Sequence, residues 1–520
     1  MSSIWTHTAR VLGAALLAVG GAAWAAPWQD GGRPLPEARE AVALLDDAAS
    51  HGLQPRDYGA PALRRTLEQL EQAPDAATAQ AFEASLDEAF RRFLRELHAG
   101  RLQPATLYRG WKPAPADGFD PDTVLAEALA RHRLHAAVDA AVPPLPQYQR
   151  LREALARYQA LDGHPAWAEP LPALPARPGG GAPRLEPGQA WSGLALLAQR
   201  LQALGDLDEA ATLPPRHAGV LVEALRRFQE RHGLQADGVL GRDTRAALDV
   251  SPGRRARQIV LALERLRWTP LTRAPRMIVV NLPEFVLRAY EVRDGRIELR
   301  QEMKVIVGKA LDTRTPLLDE QMRSIEFSPY WNVPPSIARG ELVPRLRRDP
   351  GYWSREGFEF VAPDGSVQTG LSATRLDAVL AGQLRIRQRP GPRNALGDIK
   401  FVFPNSDNIY LHHTPSTGLF ERARRDFSHG CIRVEQPQAL AAFVLEGQPG
   451  WDLPRIREAM ARGESNSVRL ERPLPVLIAY GTALVKDGRV HFFEDLYGHD
   501  RALDAALRAR VAAPLPESPR

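Results

Sequence analysis

Cys431 is the only cysteine in the 520-residue chain, and the residue types around it are those that activate a thiol. Upstream lies Ile409-Tyr410-Leu411-His412-His413-Thr414-Pro415-Ser416. Ser428-His429-Gly430-Cys431-Ile432-Arg433-Val434 follows, beginning sixteen residues after His412. A thiol becomes a strong nucleophile when an imidazole or a positive charge favours the thiolate, and three histidines and an arginine crowd this stretch. Gly430 permits the tight backbone approach that could aim amides at an oxyanion. The set suits nucleophilic catalysis by sulfur. The same residues admit two plainer readings. A lone cysteine can be buried and inert, and His412, His429 and Cys431 could be three zinc ligands, although no fourth is evident.

These residues need strands to hold them. From residue 276 the apolar period changes from helical to alternating: Met277–Leu282 and Phe285–Val292 read as strands, Asp294-Gly295 as a hairpin turn, and Ile297–Val307 as the return strand. Phe401–Phe403 and Ile409–Leu411 add further strands, the latter ending just before His412. A Pro/Gly/Arg-rich stretch at about 330–395 reads as an insertion over the sheet. Val476–Val485, Lys486-Asp487-Gly488 and Val490–Phe493 suggest a late hairpin, and Ala502–Val511 a final helix.

Ahead of the strands the pattern is helical. Ala38–Ala49 is rich in Ala and Leu; Phe82, Leu86, Phe90, Phe93 and Leu97 recur at spacings of three and four, with Gly100 placed to end that helix. A Pro/Gly/Ala-rich linker occupies 166–187. Residues 188–250 predict a three-helix module, with Leu221, Leu225 and Phe228 on one helix face. Gly233 would stop that helix, Asp237-Gly238 would turn, and Asp243 or Thr244 would cap the next helix.

Length predicts about three or four domains. Net charge is small, 67 − 62 = +5, and no basic block points to nucleic acid. Arg10, the uncharged run Val11–Ala26 and the A-x-A-like Ala23-Trp24-Ala25 read as an export signal; the competing reading is a retained membrane anchor. An exported chain with one cysteine cannot form an internal disulfide, which sharpens the case for a reactive Cys431.

The S-H-G-C-x-R run after an upstream histidine resembles the L,D-transpeptidase family with the YkuD-type catalytic domain. Val307-Gly308-Lys309 with Thr315-Pro316, and Ile399-Lys400-Phe401, are also similar to that family. Ser328-Pro329-Tyr330-Trp331-Asn332-Val333-Pro334-Pro335-Ser336 resembles its long Gram-negative members, and Arg227–Leu248 resembles a peptidoglycan-binding repeat. His413 is a departure, since a small or acidic residue is common there.

The resemblance implies a multi-domain α+β protein. Its parts would be a signal peptide (1–25), a helical scaffold (36–165), the linker, and a three-helix peptidoglycan-binding domain (188–250). A mostly β, sandwich-like mixed-sheet catalytic domain (276–455) with an inserted capping subdomain and a C-terminal hairpin and helix (456–520) would complete it. It further implies Cys431 as nucleophile and His412 as proton acceptor, because the family's base follows a strand with an apolar last residue. His413 would orient His412 through its backbone carbonyl, Gly430 would supply an oxyanion-binding amide, and His429 would shape the loop. Arg433, Tyr410, Ser428, Trp331 and Asn332 are the candidate substrate contacts; Arg433 suits a substrate carboxylate. Tyr330 and Trp331 read equally well as core aromatics.

The activity implied is peptidoglycan crosslinking in the periplasm through a cysteine thioester. A tetrapeptide stem would be the donor and an amine the acceptor, with no cofactor, no metal and carbapenem-type β-lactams as inhibitors. Three alternatives remain at this level: a hydrolase or carboxypeptidase of the same fold, a transferase attaching a protein to the wall, and a non-catalytic wall-binding protein.

Overall fold

The computed structural model describes residues 28–108, 111, 118–177, 179–269 and 274–512, so the export segment lies outside the described residues. The chain forms two compact units. One comprises residues up to Asp46, Tyr58–Leu94 and Phe119–Ala141. It holds a two-residue hairpin, β1 (Gln29–Asp30) with β2 (Arg33–Pro34), and helices including Pro36–Asp46 and Ala60–Gln72. The other comprises 47–57, 95–118 and everything from Val142 onward. The helical region expected over 36–165 contributes helices to both units. Its last helix, Pro146–Ala160, packs on the helix Pro252–Arg267 of the second unit, with Arg267 donating to the Tyr148 hydroxyl at 2.9 Å.

The long helix Ala76–Ala99 buries Phe82, Leu86, Phe90, Phe93 and Leu97, the stripe set by their spacing. Gly100 follows it at φ +83, a left-handed position that a glycine occupies without strain.

Strands dominate from Arg276: β3 (Arg276–Asn281), β4 (Val286–Arg293), β5 (Arg296–Gly308) and β6 (Leu318–Phe327), then β7 (Trp331–Asn332), β8 (Phe358–Val361), β9 (Val367–Gln368) and β10 (Arg385–Gln388). Next come β11 (Ile399–Val402), β12 (Leu411–His412), β13 (Asp426–Ser428), β14 (Ile432–Val434), β15 (Asn466–Ala479), β16 (Ala483–Lys486) and β17 (Arg489–Phe492). Nine of these form one mixed sheet in the order β13-β5-β14-β12-β11-β6-β15-β3-β4. Because β4 also pairs with β5, the sheet closes on itself. Alternate residues point inward as the strand period demands: Ile278 and Val280, Val305 and Val307, Ile325 and Phe327, Ile432 and Val434 are all fully buried in one core.

The 14-residue β15 comes from the stretch expected as C-terminal hairpin and helix (456–520). It lies in the middle of this sheet, parallel to β3 and antiparallel to β6, so Val476–Ala479 is core strand and the late hairpin is only β16–β17. The β6 pairing of β15 shifts register between Arg469 and Leu474, around Pro473.

The insertion builds its own four-stranded sheet, β7-β10-β8-β9, over a core that includes Val333, Leu346, Trp353, Phe360 and Ile386. Both of its ends leave the large sheet at one place: Phe327 pairs with Ile399, and Ser328 N–H donates to the Asp398 carbonyl at 2.8 Å.

In the three-helix module, Leu221, Leu225 and Phe228 are fully buried. Gly233 (φ +65) ends its helix and Gly238 (φ +75) turns the chain. The expected side-chain cap at Asp243 or Thr244 is absent. Gly241 is the N-cap residue without a side-chain bond, while Thr244 is buried and accepts from Gln229 Nε2 at 3.1 Å.

Candidate active site

Two short strands bring the histidine and the thiol together. Leu411 pairs with Ile432 and His412 with Arg433 in the parallel β12–β14 ladder; Lys400 pairs with His412 from β11 on the other side. Leu411 and Ile432 point into the core at zero exposure. Side chains alternate, so Tyr410, His412, Cys431 and Arg433 project from the opposite face.

His412 is 4% exposed, and its Nδ1 lies 2.5 Å from the backbone carbonyl of His413. A carbonyl only accepts, so Nδ1 carries the proton and Nε2 the lone pair in the neutral ring. Burial, then the Arg433 charge, push the His412 pKa down to about 3, against the His413 and Leu396 carbonyls, which raise it. The ring is therefore neutral at neutral pH and able to accept a proton. The His413 side chain turns away to Asp398, whose carboxylate it meets at 3.3 Å.

Cys431 is half-buried, with its thiol 3.7 Å from the Asn408 carbonyl. Burial raises its pKa; a hydrogen bond from Tyr410 and the charges of Lys400 and Arg433 pull the other way. Lys400 sits 4.5 Å from the Tyr410 ring centroid and pairs with Glu326 at 3.1 Å. Arg433 has no ion pair among the described residues, and its Nε is buried without a partner. Such a guanidinium is suited to an incoming carboxylate.

Several candidate residues sit elsewhere than expected. Ser428 is 2% exposed, and its hydroxyl is spent inside the loop, donating to the Cys431 carbonyl at 2.5 Å and accepting from Gly430 N–H at 3.1 Å. The same bond commits the Gly430 amide expected at the oxyanion; the Cys431 N–H meets no acceptor among the described residues. Trp331 packs on the core of the insertion and Asn332 pairs with Arg387 in that subdomain's sheet, so neither joins the cluster. Tyr330 lies under Arg387, 4.2 Å from its ring centroid.

His429 Nε2 lies 2.6 Å from Glu341 Oε1, which ties the loop before Cys431 to the insertion. Neither Glu341 nor Asn408 carries a motif that marks it in the sequence. Glu341 is 88 positions from its partner, and nothing local marks it. Among the described residues no group of three or more His, Cys, Asp or Glu side chains is placed to hold a metal ion, and no helix is long and apolar enough to cross a membrane.

Family models match three segments: "L,D-transpeptidase catalytic domain" over residues 275–451, "Scaffold domain" over 22–155 and "Putative peptidoglycan binding domain" over 192–248. A curated protein of Haemophilus influenzae (strain ATCC 51907 / DSM 11121 / KW20 / Rd) named "Putative L,D-transpeptidase" is 34% identical over 229 residues, 44% of this chain and 45% of that protein. The chain thus spans under half the length of the curated relative it matches. Among solved structures, an L,D-transpeptidase (residues 123-326) from Xylanimonas cellulosilytica DSM 15894 is 16% identical, covering 60% of this chain and 100% of its own, with a TM-score of 0.17. A fused Zn-dependent amidase/peptidase/peptidoglycan-binding domain-containing protein from Clostridium acetobutylicum ATCC 824 is 17% identical over 28% of this chain and 70% of its own, with a TM-score of 0.12. TM-scores this low carry no weight.

Proposed function

We propose, from the match of residues 275–451 to an L,D-transpeptidase catalytic domain, that this protein crosslinks peptidoglycan peptide stems through a thioester on Cys431. The observation that carries this reading is the register of β12 and β14, which sets a neutral, tautomerically fixed His412 on the same sheet face as the lone thiol. The thiol proton passes to His412 Nε2 as Sγ attacks the carbonyl of the L-centre residue of a tetrapeptide stem. The C–N bond to the terminal D-amino acid breaks, and that amine leaves with the proton. An amine of a neighbouring stem then attacks the thioester and restores the thiol. Arg433 receives a stem carboxylate, and the module at 188–250 holds the enzyme near polymer. The export signal read at residues 1–25 supports a periplasmic location, where this polymer lies.

Intact-mass analysis of the protein with purified tetrapeptide stems tests the proposal. The expected result is a stem adduct on Cys431, less the terminal residue, and a crosslinked dimer as product. Release of free tripeptide without dimer when an amine acceptor is present would show a hydrolase; no adduct at all would overturn the catalytic reading.

A further inference from the structure

Thr315 is fully buried, and its hydroxyl has one possible orientation. The Gly308 N–H donates to Oγ1 at 2.9 Å, so the hydroxyl's own proton points to the Gly430 carbonyl, 2.7 Å away. That carbonyl belongs to the same peptide unit as the Cys431 N–H. No peptide bond among the described residues is cis, so the two groups point in opposite directions from one plane. Fixing the Gly430 oxygen therefore fixes where the Cys431 N–H points. Gly430 adopts φ +114, a conformation that admits this plane only without a side chain.

A second layer holds Thr315. The Tyr497 hydroxyl donates to the Gly308 carbonyl at 2.6 Å and accepts from the Thr315 N–H at 3.3 Å. The Tyr497 N–H in turn donates to the Tyr480 hydroxyl at 2.8 Å, which donates to Asp495 at 2.7 Å. Tyr480, Asp495 and Tyr497 lie beyond the segment matched by the catalytic-domain model. Gly308 is fitted to this junction: a Cβ there would stand 2.0 Å from the Thr313 carbonyl oxygen.

We propose that Thr315 is a positioning residue that, braced by Tyr497, aims the Cys431 N–H at the oxyanion formed when the thiol attacks a carbonyl. This rests on the reading of Cys431 as nucleophile. The contact it provides is one in which a preorganised amide outperforms a mobile one, and polarisation of the peptide by the Thr315 hydroxyl strengthens it as a donor.

The test compares two reactions of the full-length protein. Alkylation of Cys431 by iodoacetamide forms an S–C bond and expels iodide, with no oxyanion. Acylation by a carbapenem forms an S–C bond to the lactam carbonyl through an oxyanion, breaks the lactam C–N bond and passes the thiol proton to the leaving nitrogen. Thr315→Val should slow acylation by about 10- to 100-fold, less than the roughly 100- to 1,000-fold cost of removing an oxyanion donor outright, while alkylation stays at the wild-type rate. Thr315→Ser should restore acylation, and Tyr497→Phe should slow it in the same selective way. Equal slowing of both reactions in Thr315→Val, wild-type acylation by the folded variant, or no rescue by serine would overturn the proposal. Wild-type protein that alkylates but never acylates would instead sink the nucleophile assignment.

Discussion

Tyr410 stands directly opposite Cys431 across the β12–β14 ladder, where Ile432 N–H donates to the Tyr410 carbonyl at 3.1 Å. The two side chains share one face of the sheet, and each shifts the other's proton affinity. The neighbouring sulfur, after burial, pushes the Tyr410 pKa far up, while the Tyr410 hydrogen bond lowers that of Cys431. Tyr410, two residues before His412, thus helps to lower the proton affinity of the thiol.

Tyr410→Phe keeps the ring and deletes that donor. The Cys431 pKa should rise, and alkylation by iodoacetamide at neutral pH should slow roughly 3- to 10-fold, the worth of a hydrogen bond of about 1 kcal/mol. An unchanged alkylation rate across pH would show that the phenol does not bond the thiolate.

Cys431→Ser should leave the fold intact and abolish stem acylation, because a hydroxyl is far the weaker nucleophile beside the same imidazole. In the wild type a carbapenem should leave a stable adduct that peptide mapping assigns to Cys431. An adduct on a serine would show that the thiol is not the nucleophile.

The pH profile follows from the two shifts. His412, held near 3, stays a neutral base well below the usual histidine range, and the thiol pKa lies above its ordinary value. Acylation should be flat from about pH 5 to about pH 8 rather than falling through 6.5. The sign for stability is the opposite of a histidine that gains a partner. A depressed folded pKa means that stability is fully present above about 6.5 and is lost as pH falls toward the folded value. His412→Gln should therefore be less acid-sensitive in thermal melts than the wild type, and equal acid sensitivity would show that His412 titrates normally in the fold.

The three-helix module cannot be removed cleanly. Arg231 and Asp206 form a buried bidentate pair, with Arg231 Nε 2.8 Å from Oδ1, and Arg231 also reaches the Val490 carbonyl on β17. His232 is stacked on Phe228 with centroids 3.8 Å apart, and it faces Phe492. Asp206→Ala should destabilise the protein by about 3–5 kcal/mol by leaving the guanidinium buried and unpaired. A melt within error of the wild type would show that the module's dock on β17 contributes little.

Much of the site is legible in the sequence because its cause is local. The lone thiol, its histidines and the glycine are within one short stretch. The carbonyl that orients His412 belongs to the next residue, and strand alternation at Ile409 and Leu411 sets the side from which His412 projects. The module's helices likewise follow from spacing, turn glycines and a stripe of Leu221, Leu225 and Phe228.

What only the tertiary structure decided depends on partners far away in sequence. Ser428 looks like a substrate contact until the loop closes on itself and consumes its hydroxyl, and Gly430 loses its amide in the same turn. Val476–Ala479 reads as half of a hairpin, yet it enters the sheet between β6 and β3, because pairing is set by strands 156–160 and 198 positions upstream. Glu341 and Tyr497 have no local signature at all. Hydrogen bonds depend on geometry, and a residue 88 positions from His429 or 182 from Thr315 acquires its role only when the folded chain brings it within 3.5 Å.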